Sequence, residues 1–494
     1  MRPATAELYR YCIALGANVG SRLQTLTSAL SSLQKIGSVE RTSRLYETEP
    51  LYRTAQPAFL NAVVVLRTDR EPTALLTELE RIEKDHGRIH KGQLDQQYGP
   101  RTLDLDILLA ERWQADGFRA LSPLQTPRLT IPHPRMAERA FVLRPLRDLG
   151  ITVPGARPLP GLVQQVVVSA NEVSFPVRRP APTMPHIMGI LNVTPDSFSD
   201  GSADNLSVSN ALRTADRLVH HGARVLDVGG QSTRPGAALI SPETEAARVL
   251  PIIKALRARY PPQKGIWISV DTFYAAVAEA AVKLGADCVN DVSGGTLDTG
   301  MLPLLARLQV PTVIMHMRGN PQTMMDRTHY PERKIVETVA AELYERLAAA
   351  EQAGVYRWNL IGDPGLGFAK HGDQNIELLR CLESFGSILG QSMGEWPLLV
   401  GVSRKRFLEA FATRSPSTFA QVITEEEVVS SGDAKSRDFA TAGAVIWAAL
   451  HGADFVRVHE PAVCDAARCF LHLQRLAETQ GSEPERSTTT AASS

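Results

Sequence analysis

The chain has 494 residues, too many for one ordinary domain, and its 44% apolar and 21% charged content is that of globular units with wetted surfaces. The 53 basic and 53 acidic side chains cancel to a net charge of +0, which excludes a basic footprint for nucleic acid and an overall field toward anionic membranes. Five scattered cysteines without metal-ligand spacing exclude a disulfide framework and point to a reducing compartment. No apolar run approaches the roughly 18 residues that span a bilayer, so the expectation is a cytoplasmic chain, or one of the mitochondrial matrix whose leader has been removed.

In chain order, periodicity predicts a strand at Tyr11–Leu15, a helix over about 21–36 and strands over about 39–47 and Phe59–Thr68, followed by a helix over about 72–86 and a strand at Thr102–Ala110. This β-α-β-β-α-β order, within residues 1–149, is that of a ferredoxin-like α+β domain. In the last of these strands, GPRTLDLDILL, Leu103, Leu105 and Ile107 share one face, and Asp104 and Asp106 share the other about 7 Å apart. Alternation alone leaves two readings of that pair, a solvated strand face or a carboxylate pair for magnesium and phosphate oxygens. Arg88, His90, Lys91 and Arg101 precede the pair, and a metal–triphosphate complex needs such cations. There is no GxxxxGK[ST] motif, so a P-loop is excluded, while LGANVG at the first strand–helix turn offers close-approach backbone.

Residues 150–185 carry seven prolines and read as an irregular proline-rich linker with one strand in LVQQVVVSA. Residues 186–480 repeat a short apolar strand and a helix eight times, the pattern of a C-terminal (β/α)8 TIM barrel. A surface loop is expected over 412–434 and a disordered tail over 481–494. Polar residues recur at or just past the strands' carboxyl ends: Asn192, Thr233 with Arg234, Asp271, Asn290, His316, Asp363, Ser403 with Lys405, and Arg457 with His459. In a barrel those ends converge on one face. Asp271, Asn290, Asp363 and Lys405 offer the donors and acceptors that a flat heterocycle uses; Arg457, His459 and Arg234 suit an anion such as pyrophosphate.

The motifs MGILNVTPDSFSDG, GGQSTRPGA, SVDT, NDVSG, MHMRG, DPGLGF, GVSRKRFL and RVH resemble dihydropteroate synthase from about His186 to about Ala466. The resemblance implies condensation of a dihydropterin pyrophosphate with 4-aminobenzoate, releasing pyrophosphate and open to sulfonamide competition. It implies that Asp271, Asn290, Asp363 and Lys405 hold the pterin ring. Asn192, Arg457 and His459 would hold the pyrophosphate and one magnesium ion, with Thr233, Arg234 and Ser403 near the aminobenzoate. Gln231 stands where many members carry Glu, and Phe273 where a small residue follows SVDT.

From Tyr11 to about Leu149, the motifs ALGANVGSR, YETEPL, QPAFLNAVV, GPRTLDLDILL and IPHPRMAERAFVLRPL resemble 6-hydroxymethyl-7,8-dihydropterin pyrophosphokinase. That resemblance implies pyrophosphoryl transfer from ATP to the pterin hydroxymethyl group, with Asp104 and Asp106 as ligands of two magnesium ions. Arg88, Arg101, His133 and Arg139 would contact the triphosphate, with Glu83 near the nucleoside. Phe59 and Phe141 would sandwich the pterin, and Asn61 with the backbone of Thr48 and Leu51 would read its edge. Tyr98 and His90 depart from the family's usual Trp and Arg, and KGQLDQQ is longer than usual. The two activities are consecutive, so the expectation is a bifunctional folate-biosynthesis transferase. Its expected partners are small molecules, with no nucleic acid or membrane, and it is expected to form a homo-oligomer through the barrel. The alternatives are a methyltransferase-type pterin barrel and a non-catalytic pterin-binding protein.

Overall fold

The computed structural model describes residues 7–51, 53–88, 99–179, 183–193, 204–391, 394–409 and 437–480. His90, Lys91, Tyr98, the 412–434 loop and the 481–494 tail lie outside them.

The N-terminal unit runs β1 (Tyr9–Ala17), α1 (Arg22–Leu33), β2 (Ser38–Thr42), β3 (Leu45–Thr48), β4 (Phe59–Thr68), α2 (Pro72–Asp85), β5 (Asp104–Gln114) and β6 (Gly117–Ala120). The antiparallel order places β1 between β4 and β5, with β2 and β3 on the far side of β4, the ferredoxin-like arrangement. The single strand expected over 39–47 is two, because Ser43 interrupts the ladder: its Oγ accepts the Val63 N–H at 2.9 Å. Alternation on β5 sorts its side chains as the pattern requires. Leu103, Leu105 and Ile107 enter the core with Leu26 and Leu30 of α1 and Leu79 and Ile82 of α2. The opposite face holds a smaller core, Cys12, Val63, Val65 and Leu108 under Val142 and Leu146 of α3 (Ala140–Asp148).

The connector, expected to be irregular apart from one strand in LVQQVVVSA, holds that strand and a second one. After the short pair β7 (Leu124–Gln125) and β8 (Thr130–Ile131), a hairpin forms from β9 (Val163–Val168) and β10 (Ser174–Pro176). β9 pairs with β3 and so extends the N-terminal sheet. The hairpin's other face enters the second unit.

That unit is a ring of eight parallel strands: β11 (His186–Asn192), β12 (Ala223–Gly229), β13 (Trp267–Asp271), β14 (Cys288–Asp291), β15 (Thr312–Met315), β16 (Leu360–Asp363), β17 (Leu399–Val400) and β18 (Phe455–Val458). A parallel bridge between Gly362 and Leu398 closes it. Each strand contributes one residue to an apolar layer at the amino-terminal end: Met188, Val225, Trp267, Cys288, Val313, Ile361, Leu399 and Phe455. Val167, Phe175 and Val177 of the hairpin pack into the same layer and plug that end. Polar ties hold the plug: Trp267 Nε1 donates to Val173 O at 3.1 Å and Asn171 Nδ2 to Asp287 Oδ1 at 2.6 Å.

The N-terminal unit also docks at this end of the barrel. Arg44, 1% exposed, donates to Glu395 O at 2.8 Å and stacks 4.2 Å over the Trp396 ring. Arg357, 0% exposed, pairs with Glu351 at 2.5 Å and donates to Asp148 O at 2.6 Å, and Trp358 enters the N-terminal core. The amino ends of the strands therefore meet the first unit, and their carboxyl ends face away from it.

Candidate active sites

In the N-terminal unit the site lies on the sheet face opposite the main core. The register sets Asp104 across from Gly16 and Asp106 across from Ala14, with Asn61 on the other side of Gly16. A Cβ on Gly16 would stand 2.9 Å from Asn61 Oδ1, so only glycine leaves room for that amide. Asn61 Nδ2 donates to Thr48 Oγ1 at 2.8 Å, which joins two of the expected pterin-edge residues. Phe59 and Phe141 are both half-buried, and the Arg139 guanidinium lies 5.6 Å from the Phe141 ring. Leu51 is half-buried against Gly161 of the connector.

The expected phosphate residues gather around the carboxylates. Arg101 donates to Asp104 Oδ2 at 2.5 Å, Arg88 pairs with Asp104 Oδ1 at 2.8 Å, and Arg139 lies 3.6 Å from Asp106 Oδ2. His133 is anchored by its backbone N–H to Leu108 O at 2.9 Å. Burial lowers its pKa, with the nearby Asp106 carboxylate opposing. Glu83 is placed differently from the expectation of a nucleoside contact. It is 3% exposed, its Oε1 accepts the Leu105 N–H at 2.8 Å, and it pairs with Arg88, so it orients that arginine from below. Sequence reasoning also missed Asn18. This buried amide accepts the Arg101 N–H at 2.7 Å and donates to Pro57 O at 3.0 Å, tying the Asp104 approach to the loop before Phe59. The LGANVG motif was its only signal.

In the barrel, Asn192, Asp271 and Asp363 end their strands and Asn290 and Arg457 stand one residue from the ends of theirs, all on the carboxyl face. Arg457 donates Nε to Asp227 Oδ2 and Nη2 to Asp271 Oδ2, both at 2.6 Å. Asn290 Nδ2 donates to the same Asp227 oxygen at 3.0 Å. Asp227, 0% exposed in mid-strand, was missed by sequence reading, although a carboxylate inside RVLDVGG was a signal that a buried cation lay nearby. Lys405 lies 4.4 Å from the centre of the Phe368 ring, a second missed residue.

Burial dominates the titration of this cluster. It raises Asp271 to about 7 against the pull of Arg457, and Asp363 to about 6 against the Gly365 N–H and Lys405. Burial and the neighbouring Arg457 lower Lys405 to about 8. Burial and the surrounding cations lower His459 to about 3, so it is a neutral imidazole, and its backbone N–H and Nδ1 both lie 3.1 Å from Ser403 Oγ. Thr233 is half-buried and Arg234 exposed on the loop after β12, and the charge on Arg234 contributes to the lowering of both Lys405 and His459. His316 does not join the convergent set. It is 0% exposed and turned away, between Glu342 and Lys370.

Two departures from the family pattern are absorbed by packing. Gln231 donates to buried Glu245 at 3.1 Å, and Phe273, 2% exposed, packs with Met315, Met317 and Met324.

Comparisons with known proteins agree with both halves. A family model described as "Pterin binding enzyme" matches residues 188–459, and one described as "7,8-dihydro-6-hydroxymethylpterin-pyrophosphokinase" matches residues 12–150. A mitochondrial folate synthesis bifunctional protein of Pisum sativum is 38% identical over 90% of this chain and 86% of its own length. The folic acid synthesis protein fol1 of Pneumocystis carinii is 40% identical over 91% of this chain, which spans 57% of that longer protein. Among solved structures, a Xanthomonas albilineans dihydropteroate synthase with 4-aminobenzoic acid covers 65% of this chain and 100% of its own, at 35% identity and TM-score 0.51. Plasmodium falciparum HPPK-DHPS, at 19% identity, shares the fold over 94% of this chain and 98% of its own with TM-score 0.67. The chain belongs to the pterin-binding enzymes, in the bifunctional branch that joins a hydroxymethyldihydropterin pyrophosphokinase to a dihydropteroate synthase.

Proposed function

We propose that the Asp104–Asp106 face holds ATP and hydroxymethyldihydropterin, and that the Asp271–Lys405–Arg457 cluster holds the resulting pterin diphosphate for attack by 4-aminobenzoate. The observation that carries the reading is the interleaving of buried acceptors (Asp227, Asp271, Asp363) and donors (Asn290, Lys405, Arg457) at one end of the barrel. A ring with alternating N–H and carbonyl edges suits that pattern.

In the first unit the donor set fits magnesium: two carboxylates, 22% and 30% exposed, offer hard oxygens on one strand face beside arginines that match phosphate. When bound, such ions neutralise and orient the phosphate charge. Arg88, Arg101 and Arg139 take the non-bridging oxygens, with His133 beside them. Phe59 and Phe141 clamp the pterin so that its hydroxymethyl oxygen faces the β-phosphorus. That oxygen bonds to the β-phosphorus as the bond to AMP breaks, AMP leaves with the electron pair, and the hydroxyl proton passes to solvent. The reading takes two ions here.

In the barrel, the methylene–oxygen bond breaks, diphosphate leaves with the electron pair, and the arylamine nitrogen bonds to the methylene carbon and then sheds its proton. Arg457 and the neutral His459 donate to the departing oxygens, where negative charge builds. Thr233, Arg234 and Ser403 line the aminobenzoate side. Asn192 supplies one amide oxygen, which fits an ion brought in on the diphosphate, and no group of three His, Cys, Asp or Glu gathers among the described residues. Supplying the pterin diphosphate without ATP tests this half alone: D363N and K405M should raise the KM for pterin diphosphate and cut kcat/KM tenfold or more, and keep the ATP-dependent step.

A homo-oligomer through the barrel is supported by Phe439, Trp447, Phe470 and Leu473, which are 87%, 39%, 44% and 65% exposed on the packed helices Asp438–Leu450 and Val463–Gln480. Light scattering should give twice the chain mass, and F439E with F470E should halve it. The free thiols Cys12, Cys288, Cys381, Cys464 and Cys469 support a reducing compartment, cytoplasm or mitochondrial matrix.

A further inference from the structure

Behind the barrel site lies a buried chain of polar groups that the chemistry above does not use. Lys370 is 3% exposed, and its Nζ lies 2.9 Å from His316 Nδ1, 3.0 Å from Gly365 O and 2.9 Å from Phe368 O. His316 Nε2 is 2.8 Å from Glu342 Oε2, and Glu342 pairs in turn with Arg318. An ammonium has three donors and here meets three acceptors. A neutral amine keeps two donors and would still reach both carbonyls, giving up only the contact to Nδ1, so the two backbone contacts stand in either protonation state.

Those two carbonyls bracket the turn that follows β16. Asp363 starts it and accepts the Gly365 N–H at 2.7 Å. Gly365 and Gly367 have φ of +67° and +78°, conformations that side-chain-bearing residues avoid. A Cβ on Gly365 would meet His316 O at 2.0 Å, and one on Gly367 would stand 2.9 Å from Lys405 Cδ. Phe368 ends the turn beneath the Lys405 ammonium. The turn thus connects Asp363, Lys405 and Phe368, and among the described residues the only side-chain donor to its carbonyls is Lys370.

We infer that Lys370 is a positioning residue for the synthase step: held by His316 and Glu342, it fixes the Asp363–Phe368 turn and so sets the geometry of the groups that face the pterin ring. The inference rests on the assignment of the pterin site to Asp363 and Lys405. Removing Lys370 leaves the turn held by Asp363 and Asn375, whose Oδ1 atoms accept the Gly365 and Gly367 N–H groups at 2.7 and 2.6 Å, but frees its carbonyls, and the cost falls on binding of the pterin diphosphate, with little effect on 4-aminobenzoate on the other side.

The experiment uses the full chain, in which an unchanged KM for 4-aminobenzoate reports a folded barrel and the kinase rate a folded N-terminal unit. In K370M the KM for pterin diphosphate should rise tenfold or more, while the KM for 4-aminobenzoate and the kinase rate stay within twofold. Equal rises in both KM values, or an unchanged pterin KM, would overturn the inference. Should K370M lose the kinase activity as well, the His316 pair decides. H316N keeps an acceptor where Nδ1 stands and should hold the pterin KM within threefold, whereas H316L should raise it as K370M is expected to; identical behaviour of the two would overturn the inference. D363N separates this from the site assignment. If D363N leaves the pterin KM unchanged, the assignment itself fails; if D363N raises it and K370M and H316L do not, only the role of Lys370 fails.

Discussion

Arg457 reaches Asp271 at 2.6 Å across the carboxyl end of the barrel, and burial of that pair outweighs its mutual attraction. Burial outweighs the arginine and holds Asp271 at about 7, with Asp363 at about 6 and Lys405 at about 8. On the proposed assignment the carboxylates must be ionised to accept pterin N–H groups, and Lys405 must be protonated to donate. Raising the pH through 6 to 7 therefore switches the acceptors on, and raising it past 8 switches the donor off. kcat/KM for pterin diphosphate should be bell-shaped with those limbs, and D363N should remove the lower part of the rising limb. A flat profile between pH 5.5 and 9 would contradict this.

Asp104 is held by Arg101 and Arg88, so on the proposed reading its loss would remove both a metal oxygen and the partner that orients two phosphate-binding cations. Losing groups that merely support a metal ligand costs about 10- to 100-fold. D104N should cost more than about 100-fold in the ATP-dependent step and leave the synthase rate with supplied pterin diphosphate unchanged. Separate assays of the two half-reactions check it.

Arg357 is fully buried between the units, paired with Glu351 and donating to the Asp148 carbonyl. Removing one member of a buried pair leaves the other uncompensated, at a cost of about 3–5 kcal/mol. R357A should shift unfolding of the barrel, where both members of the pair lie, to lower urea, seen as earlier loss of synthase activity. Coincident, unshifted transitions would contradict it.

The apolar layer from Met188 to Phe455, with Phe175 of the hairpin seated in it, closes the barrel at the end where the kinase unit docks. The synthase residues stand at the other end. A polar diphosphate has no path through that layer, so the intermediate should pass through solvent. Unlabelled pterin diphosphate added during coupled turnover should dilute label in dihydropteroate in proportion to its concentration. Retention of label against a large excess would contradict the geometry.

Much of this was legible in the residues. The alternation of GPRTLDLDILL fixed which face of β5 carries Asp104 and Asp106, because a strand has a period of two and its partner face is apolar. The recurrence of polar residues at strand ends located the barrel site for a similar reason. Other features depended on distant partners. Asp227 is intelligible only beside Arg457, 230 positions later. The strand in LVQQVVVSA was legible and is β9, whereas β10 was not, because Phe175 is buried only against a ring of eight strands distant in the chain. Glu83 is buried beneath Arg88, a contact that its place on a helix does not reveal. Lys370 gave no signal as anything but a solvated lysine after a glycine-rich turn.

The central claim is that one chain performs both reactions in sequence. Purified protein supplied with ATP, Mg²⁺, hydroxymethyldihydropterin and 4-aminobenzoate should form dihydropteroate and AMP in equal amounts, with D104N blocking product until pterin diphosphate is supplied. Failure of the unmodified chain to form dihydropteroate under those conditions would contradict the account.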